Sequence, residues 1–411
     1  MKYVIVLTDG AADYPLEELA GRTPLEAAAT PHLDRLALRG AGGRLKTIPA
    51  GLTPGSDVAN LSILGYNPGR QYTGRGPLEA ASLGISLADD DVAFRCNLVT
   101  VSDTILADYS AGHISSREGG VLIGLLEERL GGQGLRFYPG KSYRHLLVVK
   151  EQLLEEGHGG LRTTPPHDIT GQAIAPHLPR GRGSQLLKDL ITQSRIILAD
   201  QEVNEIRIDL GENPANMIWP WGEGKQPDLE SFRDRFGING ALISAVDLLQ
   251  GIARIIGMGV IEVPGATGYF DTDYAGKGQA ARKALEDYDL VYLHVEAPDE
   301  AGHGGNITEK IKALERIDEH IIGPLLAAGE ERGDLRIAVL PDHATPIAVR
   351  SHVCDPVPFV IWGKGIKADR MEALSEKESL RGRYRQRNGH KFMKLLLAAE
   401  KNETPDSGEE T

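Results

Sequence analysis

Hydrophobic positions along the chain change their rhythm twice. The opening pattern is continuous. Residues 3–8, YVIVLT, form an unbroken β-branched run, which predicts a strand buried on both faces. Residues 30–40, TPHLDRLALRG, offer Thr30 as N-cap, Pro31 at the first helical position and Gly40 beyond the end, which predicts a helix. A short helix opening at Ser56 and closing at Gly65 follows from Val58, Leu61 and Leu64 on one face.

Near residue 92 the rhythm becomes alternating. Residues 92–101, VAFRCNLVTV, exchange apolar with polar positions, which predicts a half-exposed strand. A helical stretch at 118–130 and a strand at 143–149, YRHLLVV, come next. Residues 151–183 are loop-rich, with TTPPHD and LPRGRGS as breakers. Two helical patterns span 184–209, and the Gly-, Pro- and Asn-rich stretch 210–228 reads as a returning linker.

From about 237 the first rhythm resumes. Strands are predicted at 240–245, 289–297, 335–341 and 358–365, with helices at 246–256 and 306–328. Strands alternating with helices imply an α/β domain whose mostly parallel sheet is sandwiched by helices. The chain thus divides into a discontinuous domain, 1–89 plus 236–400, and an inserted smaller α/β (α+β) domain at 90–235. The polar tail 401–411 has the composition of a disordered segment.

Composition narrows the partners. Of 411 residues, 45 are Lys or Arg and 58 are Asp or Glu, a net charge of −13. That argues against nucleic acid or an anionic membrane as the main partner, since both require basic surface. A small anionic substrate remains compatible. Two cysteines in unrelated contexts, Cys96 and Cys354, give neither a disulfide framework nor a CxxC metal site. The N-terminal apolar run is too short for a signal peptide, so the expected compartment is the cytoplasm.

Ligands of open α/β sheets bind at the carboxyl ends of the strands. Strand 3–8 ends in Asp9. Strand 289–297 runs into Asp299, with His303 four residues later. Strand 335–341 ends in Asp342 and His343, and His352 follows. Each alone has an ordinary explanation as a helix cap or turn residue. Three Asp and three His at strand ends, with Ser56 at a helix start, form a candidate metal centre. Mixed Asp and His donors suit Mn²⁺, Zn²⁺, Co²⁺ or Fe²⁺ better than Mg²⁺ or Ca²⁺. Six such ligands exceed one four-coordinate site and fit two metals, which can clamp the oxygens of a phosphoryl displacement. A metal-bound Ser56 would then be a nucleophile.

The segments TDG (8–10), GSDVANLSILGY (55–66), YTGRGPLEAAS (72–82), DEAGHGG (299–305), PDHATP (341–346) and SHVCDPVPF (351–359) resemble the alkaline phosphatase superfamily. More narrowly, they resemble its cofactor-independent phosphoglycerate mutases of the archaeal type. The resemblance implies one metal held by Asp299, His303 and His352, and a second held by Asp9, Asp342 and His343 beside Ser56. It implies two divalent ions, Mn²⁺ first and Co²⁺ or Zn²⁺ as alternatives, with no 2,3-bisphosphoglycerate. It also implies phosphoryl exchange between the 3- and 2-hydroxyls of glycerate through a phosphoserine, with the inserted domain as lid. Within that domain His113, Arg117, Arg144 and His145 are the candidates to grip substrate, His113 and Arg144 foremost, with Asp108 considered as general acid or base. Lys277 is a candidate phosphate contact. The same metal core serves other phosphatases and phosphotransferases, and a homoserine kinase label exists for similar chains. No nucleotide-binding glycine loop is found in this sequence.

Overall fold

The computed structural model describes residues 1–154 and 159–398. The tail 401–411 lies outside the described residues. In chain order the strands among them are β1 (Lys2–Thr8), β2 (Ala41–Lys46), β3 (Asp91–Ser102), β4 (Ile105–Asp108), β5 (Leu135–Lys141), β6 (Arg144–Lys150), β7 (Met217–Gly224), β8 (Gly240–Ile243), β9 (Gly259–Val260), β10 (Leu290–Val295), β11 (Leu335–Leu340), β12 (Val357–Gly363) and β13 (Gln386–Asn388). The chain forms two compact units, Met1–Tyr72 with Leu229–Thr411, and Thr73–Asp228.

The first unit is built on an eight-stranded sheet in the order β13-β2-β12-β11-β1-β10-β8-β9. The pairings of β1 with β10 and β11, of β8 with β10 and β9, and of β13 with β2 are parallel. Only β12 runs antiparallel to its neighbours β11 and β2. Every residue of β10 and β11 is buried, as is every residue of β1 after Lys2, which is why these runs read as continuously apolar. One core joins Val4, Val6, Val291, Leu293, Ile337 and Val339 to helix residues such as Leu33, Leu36, Ile317 and Ile321. No helix among the described residues is long and apolar enough to cross a membrane.

Two local details depart from the sequence reading. Thr30 makes no capping bond to the helix Pro31–Leu38. The free N–H groups of His32 and Leu33 donate instead to the Asp318 carboxylate, at 3.2 and 2.6 Å. Asp318 begins a π-helical stretch, Asp318–Ile322, inside the long helical run that starts at Ile307. Its side chain reaches a helix end far away in sequence, which no local pattern reveals.

The second unit holds a five-stranded antiparallel sheet, β4-β3-β6-β5 with β7 on the other side of β3. The stretch 210–228 is therefore not only a linker, because β7 lies inside it. Pro220 obscured that strand, yet β7 pairs with β3 alone, and an edge strand tolerates proline. The strand β3 is not half exposed; its residues from Val92 to Val101 are buried. Val92, Phe94, Cys96 and Leu98 pack under the helices Ser116–Leu130 and Ser184–Ala199. Ala93, on the other face, packs with Ala80 of the helix Arg75–Ser82. A Cβ at Gly76 would collide with the Ala93 backbone, so glycine there lets helix and strand touch. That contact is why this unit starts at Thr73 rather than near residue 90.

Candidate active site

Strand register brings the acidic groups to one edge. Leu7 is level with Leu340 and Thr8 with Val295, so β1, β10 and β11 end together. Asp9 follows β1 directly. Asp342 and His343 lie just beyond β11. Beyond β10 the helix Ala297–Gly304 opens, placing Asp299 and His303 one turn apart on one face. Ala344 pairs with Val353, and this returns the loop so that His352 lies beside His343, ring centroids 4.1 Å apart. Gly10 has φ +61°, and a Cβ there would strike Asp299. The glycine of TDG thus permits two carboxylate-bearing segments to meet.

Two groups of donor atoms converge, Asp9 with Asp342 and His343, and Asp299 with His343 and His352. His343 is within reach of both. His303 Nε2 lies 3.2 Å from Asp299 Oδ2 and 3.0 Å from His352 Nε2, so it belongs beside the second group. Gly55 stands at the N-cap of the helix Ser56–Ile63, and Ser56 is the first residue after it. The Ser56 Oγ lies 3.2 Å from His343 Nε2. His343 Nε2 is also 3.5 Å from Asp9 Oδ1 and 3.6 Å from Asp342 Oδ2.

The electrostatics of this edge are unbalanced. Burial, and then the charges of Asp342 and Asp299, push the Asp9 carboxyl well above its usual range. Burial also opposes ionisation of Asp299, but hydrogen bonds with His303 and His352 hold it well below the usual range. The Asp299 hydrogen bond raises His303 to about 9. Burial lowers His343. Among the described residues Asp9 Oδ1 is buried without a hydrogen-bond partner. A buried, unsatisfied carboxylate oxygen facing two further carboxylates and neutral imidazole nitrogen is a donor set short of cations. Mixed O and N donors fit a transition metal of the Mn²⁺ to Zn²⁺ series.

A supporting shell of residues not expected from the sequence surrounds these groups. Asn60, fully buried, donates to the Ser56 carbonyl and to Asp342 Oδ2, both at 2.8 Å, while Tyr292 donates to its Oδ1 at 2.6 Å. His294 Nε2 lies 2.9 Å from Asp9 Oδ2, and burial lowers its pKa to about 4, leaving a neutral ring that can donate to the carboxylate. Thr345 Oγ1 donates to Asp299. Such partners orient ligands and tune them. Asn60 has a signal, an amide one turn after Ser56 set between the apolar Ala59 and Leu61. Tyr292 and His294 have one too, as polar groups inside a continuous apolar strand.

Lys277 is almost fully buried, its Nζ donates to the His294 carbonyl at 3.1 Å, and burial lowers its pKa to about 8.

The four candidates of the second unit separate. Arg144 has its guanidinium 5.8 Å from the centroid of the Tyr143 ring. His113 is exposed, in a left-handed backbone conformation, with its ring 6.1 Å from that of Tyr143. Arg117 is exposed on the helix Ser116–Leu130. His145 is 2% exposed, lies against Gly119, and accepts from the Gly140 N–H through Nδ1. Burial lowers its pKa to about 3, so its ring is neutral near pH 7. Asp108 accepts from the Ser110 N–H and Oγ, the Gly112 N–H and Asn213 Nδ2. Burial would raise it, but these donors hold its pKa down, so it is a turn-fixing carboxylate and a poor acid.

Sequence reasoning missed two arginines here. Arg75 and Arg95 flank Trp221, with guanidinium carbons 5.5 and 5.2 Å from its ring centroid. Arg95 pairs with Glu79 at 3.0 Å and is 5% exposed. Among the described residues the Nε atoms of both arginines are buried without hydrogen-bond partners. The signal was present: Arg95 interrupts the apolar run of β3, where a cation needs a reason.

Comparison with known proteins gives the family of the chain. Residues 37–204 match the 2,3-bisphosphoglycerate-independent phosphoglycerate mutase family. A 2,3-bisphosphoglycerate-independent phosphoglycerate mutase 2 from Methanothermobacter thermautotrophicus is 50% identical over 398 residues, 97% of each chain. A cofactor-independent phosphoglycerate mutase from Thermoplasma acidophilum superposes with a TM-score of 0.66 at 29% identity, covering 97% of this chain and 99% of that one. A Pyrococcus horikoshii protein gives a TM-score of 0.81 at 29% identity, covering 96% of both chains.

Proposed function

The chain belongs to the 2,3-bisphosphoglycerate-independent phosphoglycerate mutases, and from that premise we propose that it interconverts 3-phosphoglycerate and 2-phosphoglycerate through a phosphoserine at Ser56. The observation that carries this is the position of Ser56 Oγ, 3.2 Å from His343, at the meeting point of the two donor groups.

In this reading Ser56 Oγ attacks the phosphorus of 3-phosphoglycerate, the 3-hydroxyl of glycerate leaves, and the 2-hydroxyl later takes the phosphoryl group back. The N-terminus of the helix Ser56–Ile63 favours the negative charge that gathers there. Asn60 holds the Ser56 backbone and Asp342 in one register. Asp9, Asp342 and His343 would hold one divalent ion, and Asp299, His303 and His352 another, with His343 close to both. When bound, such ions lower the pKa of a hydroxyl and neutralise phosphoryl oxygens. The donors suit Mn²⁺, Co²⁺ or Zn²⁺ alike, and the family resemblance puts Mn²⁺ first.

The second unit supplies the grip on the glycerate carboxylate. Guanidinium groups suit a carboxylate because they bind it with paired hydrogen bonds. Arg75 and Arg95 have Nε donors without hydrogen bonds for this, Arg75 Nε lying 3.8 Å from Glu79, and Arg144 adds positive charge close to Arg95. Closure of this unit as a lid would protect the phosphoserine from water. The phosphorylated substrate and two free cysteines favour the cytoplasm as the compartment.

The test uses purified protein, 3-phosphoglycerate and Mn²⁺ without bisphosphoglycerate, with 2-phosphoglycerate followed through enolase. Product that disappears with EDTA is expected. Free phosphate as the sole product would make the protein a phosphatase and overturn the mutase reading.

A further inference from the structure

Outside the ligand groups lies one fully buried ion pair that the proposed reaction does not use. Lys310 Nζ and Asp13 Oδ2 are 2.7 Å apart, and both side chains have no exposure. Isolated buried pairs add little to stability, because desolvation cancels much of their attraction. This one joins three segments. Lys310 Nζ also donates to the Thr345 carbonyl at 2.8 Å and lies 3.4 Å from the Ala12 carbonyl. Asp13 accepts from the Ile347 N–H through both oxygens, at 3.2 and 3.1 Å, and from the Tyr14 N–H. The Thr345 N–H donates to Ala12.

Each joined segment carries ligand candidates. Ala12 and Asp13 continue the turn that holds Asp9. Thr345 and Ile347 continue the turn that holds Asp342 and His343. Lys310 stands on the helix Ile307–Ile317, which follows the Asp299–His303 helix after Gly305 and Asn306. Thr345 also bonds Asp299 directly.

We propose that the Lys310–Asp13 pair is a positioning clamp, fixing the turns after β1 and β11 against the helix that follows Asp299 and His303, so that both donor groups are preassembled for their metals. It rests on the two-metal reading above. Lys310 touches neither substrate nor metal; it acts through the backbone of the ligand-bearing turns. A clamp of this kind sets metal affinity, because ligands held in place before binding lose no further freedom when the ion arrives.

The test is a Co²⁺ titration of the metal-free full chain, followed by visible absorption, beside thermal unfolding of the same metal-free samples. The main variant is Lys310→Met with Asp13→Asn, since removing both charges leaves no lone buried ion. The expected result is a near-normal melting temperature with Co²⁺ bound at least about tenfold more weakly. Lys310→Arg is the second variant and keeps the charge with a different reach. It should fold and give an altered Co²⁺ spectrum. Unchanged Co²⁺ affinity and spectrum in a folded variant would overturn the clamp while the metal reading stands. If the wild-type protein binds no Co²⁺, both fall together. The wild-type titration therefore separates the two failures.

Discussion

The first unit's ligand edge and the second unit's arginine pair beside Trp221, its floor, are charge clusters of opposite sign, the edge buried and the floor buried at Arg95 and half-buried at Arg75. At the edge, Asp9, Asp299 and Asp342 face one another, and a carboxylate oxygen of Asp9 is left unsatisfied. On the floor, Arg75 and Arg95 flank Trp221, with one carboxylate, Glu79, between them and two Nε donors unsatisfied. An excess of buried anions calls for cations, and an excess of buried cations calls for an anion. In the proposed function the edge would meet cations and the arginines the carboxylate of the substrate. Edge and floor differ also in their placement. The edge uses residues just past strand ends, whereas the floor takes Arg95 and Trp221 from within β3 and β7 and Arg75 from the start of the helix Arg75–Ser82.

The comparison breaks most sharply at Ser56. Ser56→Ala should lower turnover by about a thousandfold or more while Mn²⁺ still binds, as expected when a nucleophile is lost from an intact site. Mutase activity above about a tenth of normal would remove Ser56 from the chemistry. Next in size is the effect of metal on the edge. At a Mn²⁺ concentration about a hundred times the dissociation constant, each occupied site should add about 2.7 kcal/mol to stability. Thermal unfolding with and without EDTA measures this, and an unmoved melting temperature would mean the carboxylates do not need cations.

The floor is tested by Arg95→Met. Loss of a charge-assisted hydrogen bond, about 1.5–3 kcal/mol, should lower kcat/KM roughly tenfold to a hundredfold, chiefly through KM, with Mn²⁺ affinity unchanged. A fall in metal affinity instead would erase the division between edge and floor.

The smallest effect belongs to His145, which lies in the second unit without being part of its floor. Its folded pKa is about 3 against an ordinary 6.5. Between these values the unfolded chain binds the extra proton, so stability falls as pH falls from 6.5 toward 3. The slope from one such group approaches about 1.4 kcal/mol per pH unit. Denaturant unfolding of metal-free protein at pH 7, 6 and 5 should show a shallower decline in His145→Gln, with activity at pH 7 changed less than about threefold. A large rise in KM would instead place His145 among the substrate contacts.

What could be read from the sequence followed the same division. The strand-end groups were visible because an apolar run that stops at Asp-Gly or Asp-His marks its own boundary. Their convergence then required only a parallel sheet. The floor was hidden because strand exposure is decided by partners far away in sequence. The alternation in β3 suggested one wet face, but the helix Arg75–Ser82 covers the face that Arg95 shares with Ala93. The strand β7 was obscured by its proline, and with it the role of Trp221. Asp318 as the cap of a distant helix, and Asn60 as the link between Ser56 and Asp342, depend on side-chain geometry that spacing cannot supply.

The register of β1 also bears on the order in which the chain acquires structure during synthesis. Its two partners in the sheet are β10 and β11, beginning at Leu290 and Leu335, so the first strand made must wait for nearly the last. The second unit draws all its strands from the unbroken stretch Thr73–Asp228, and its antiparallel pairs close within that stretch. Short-range pairing is fast and long-range parallel pairing is slow. On the ribosome the arginine floor should therefore be folded while β1, the first strand of the metal edge, is still exposed and dependent on chaperones.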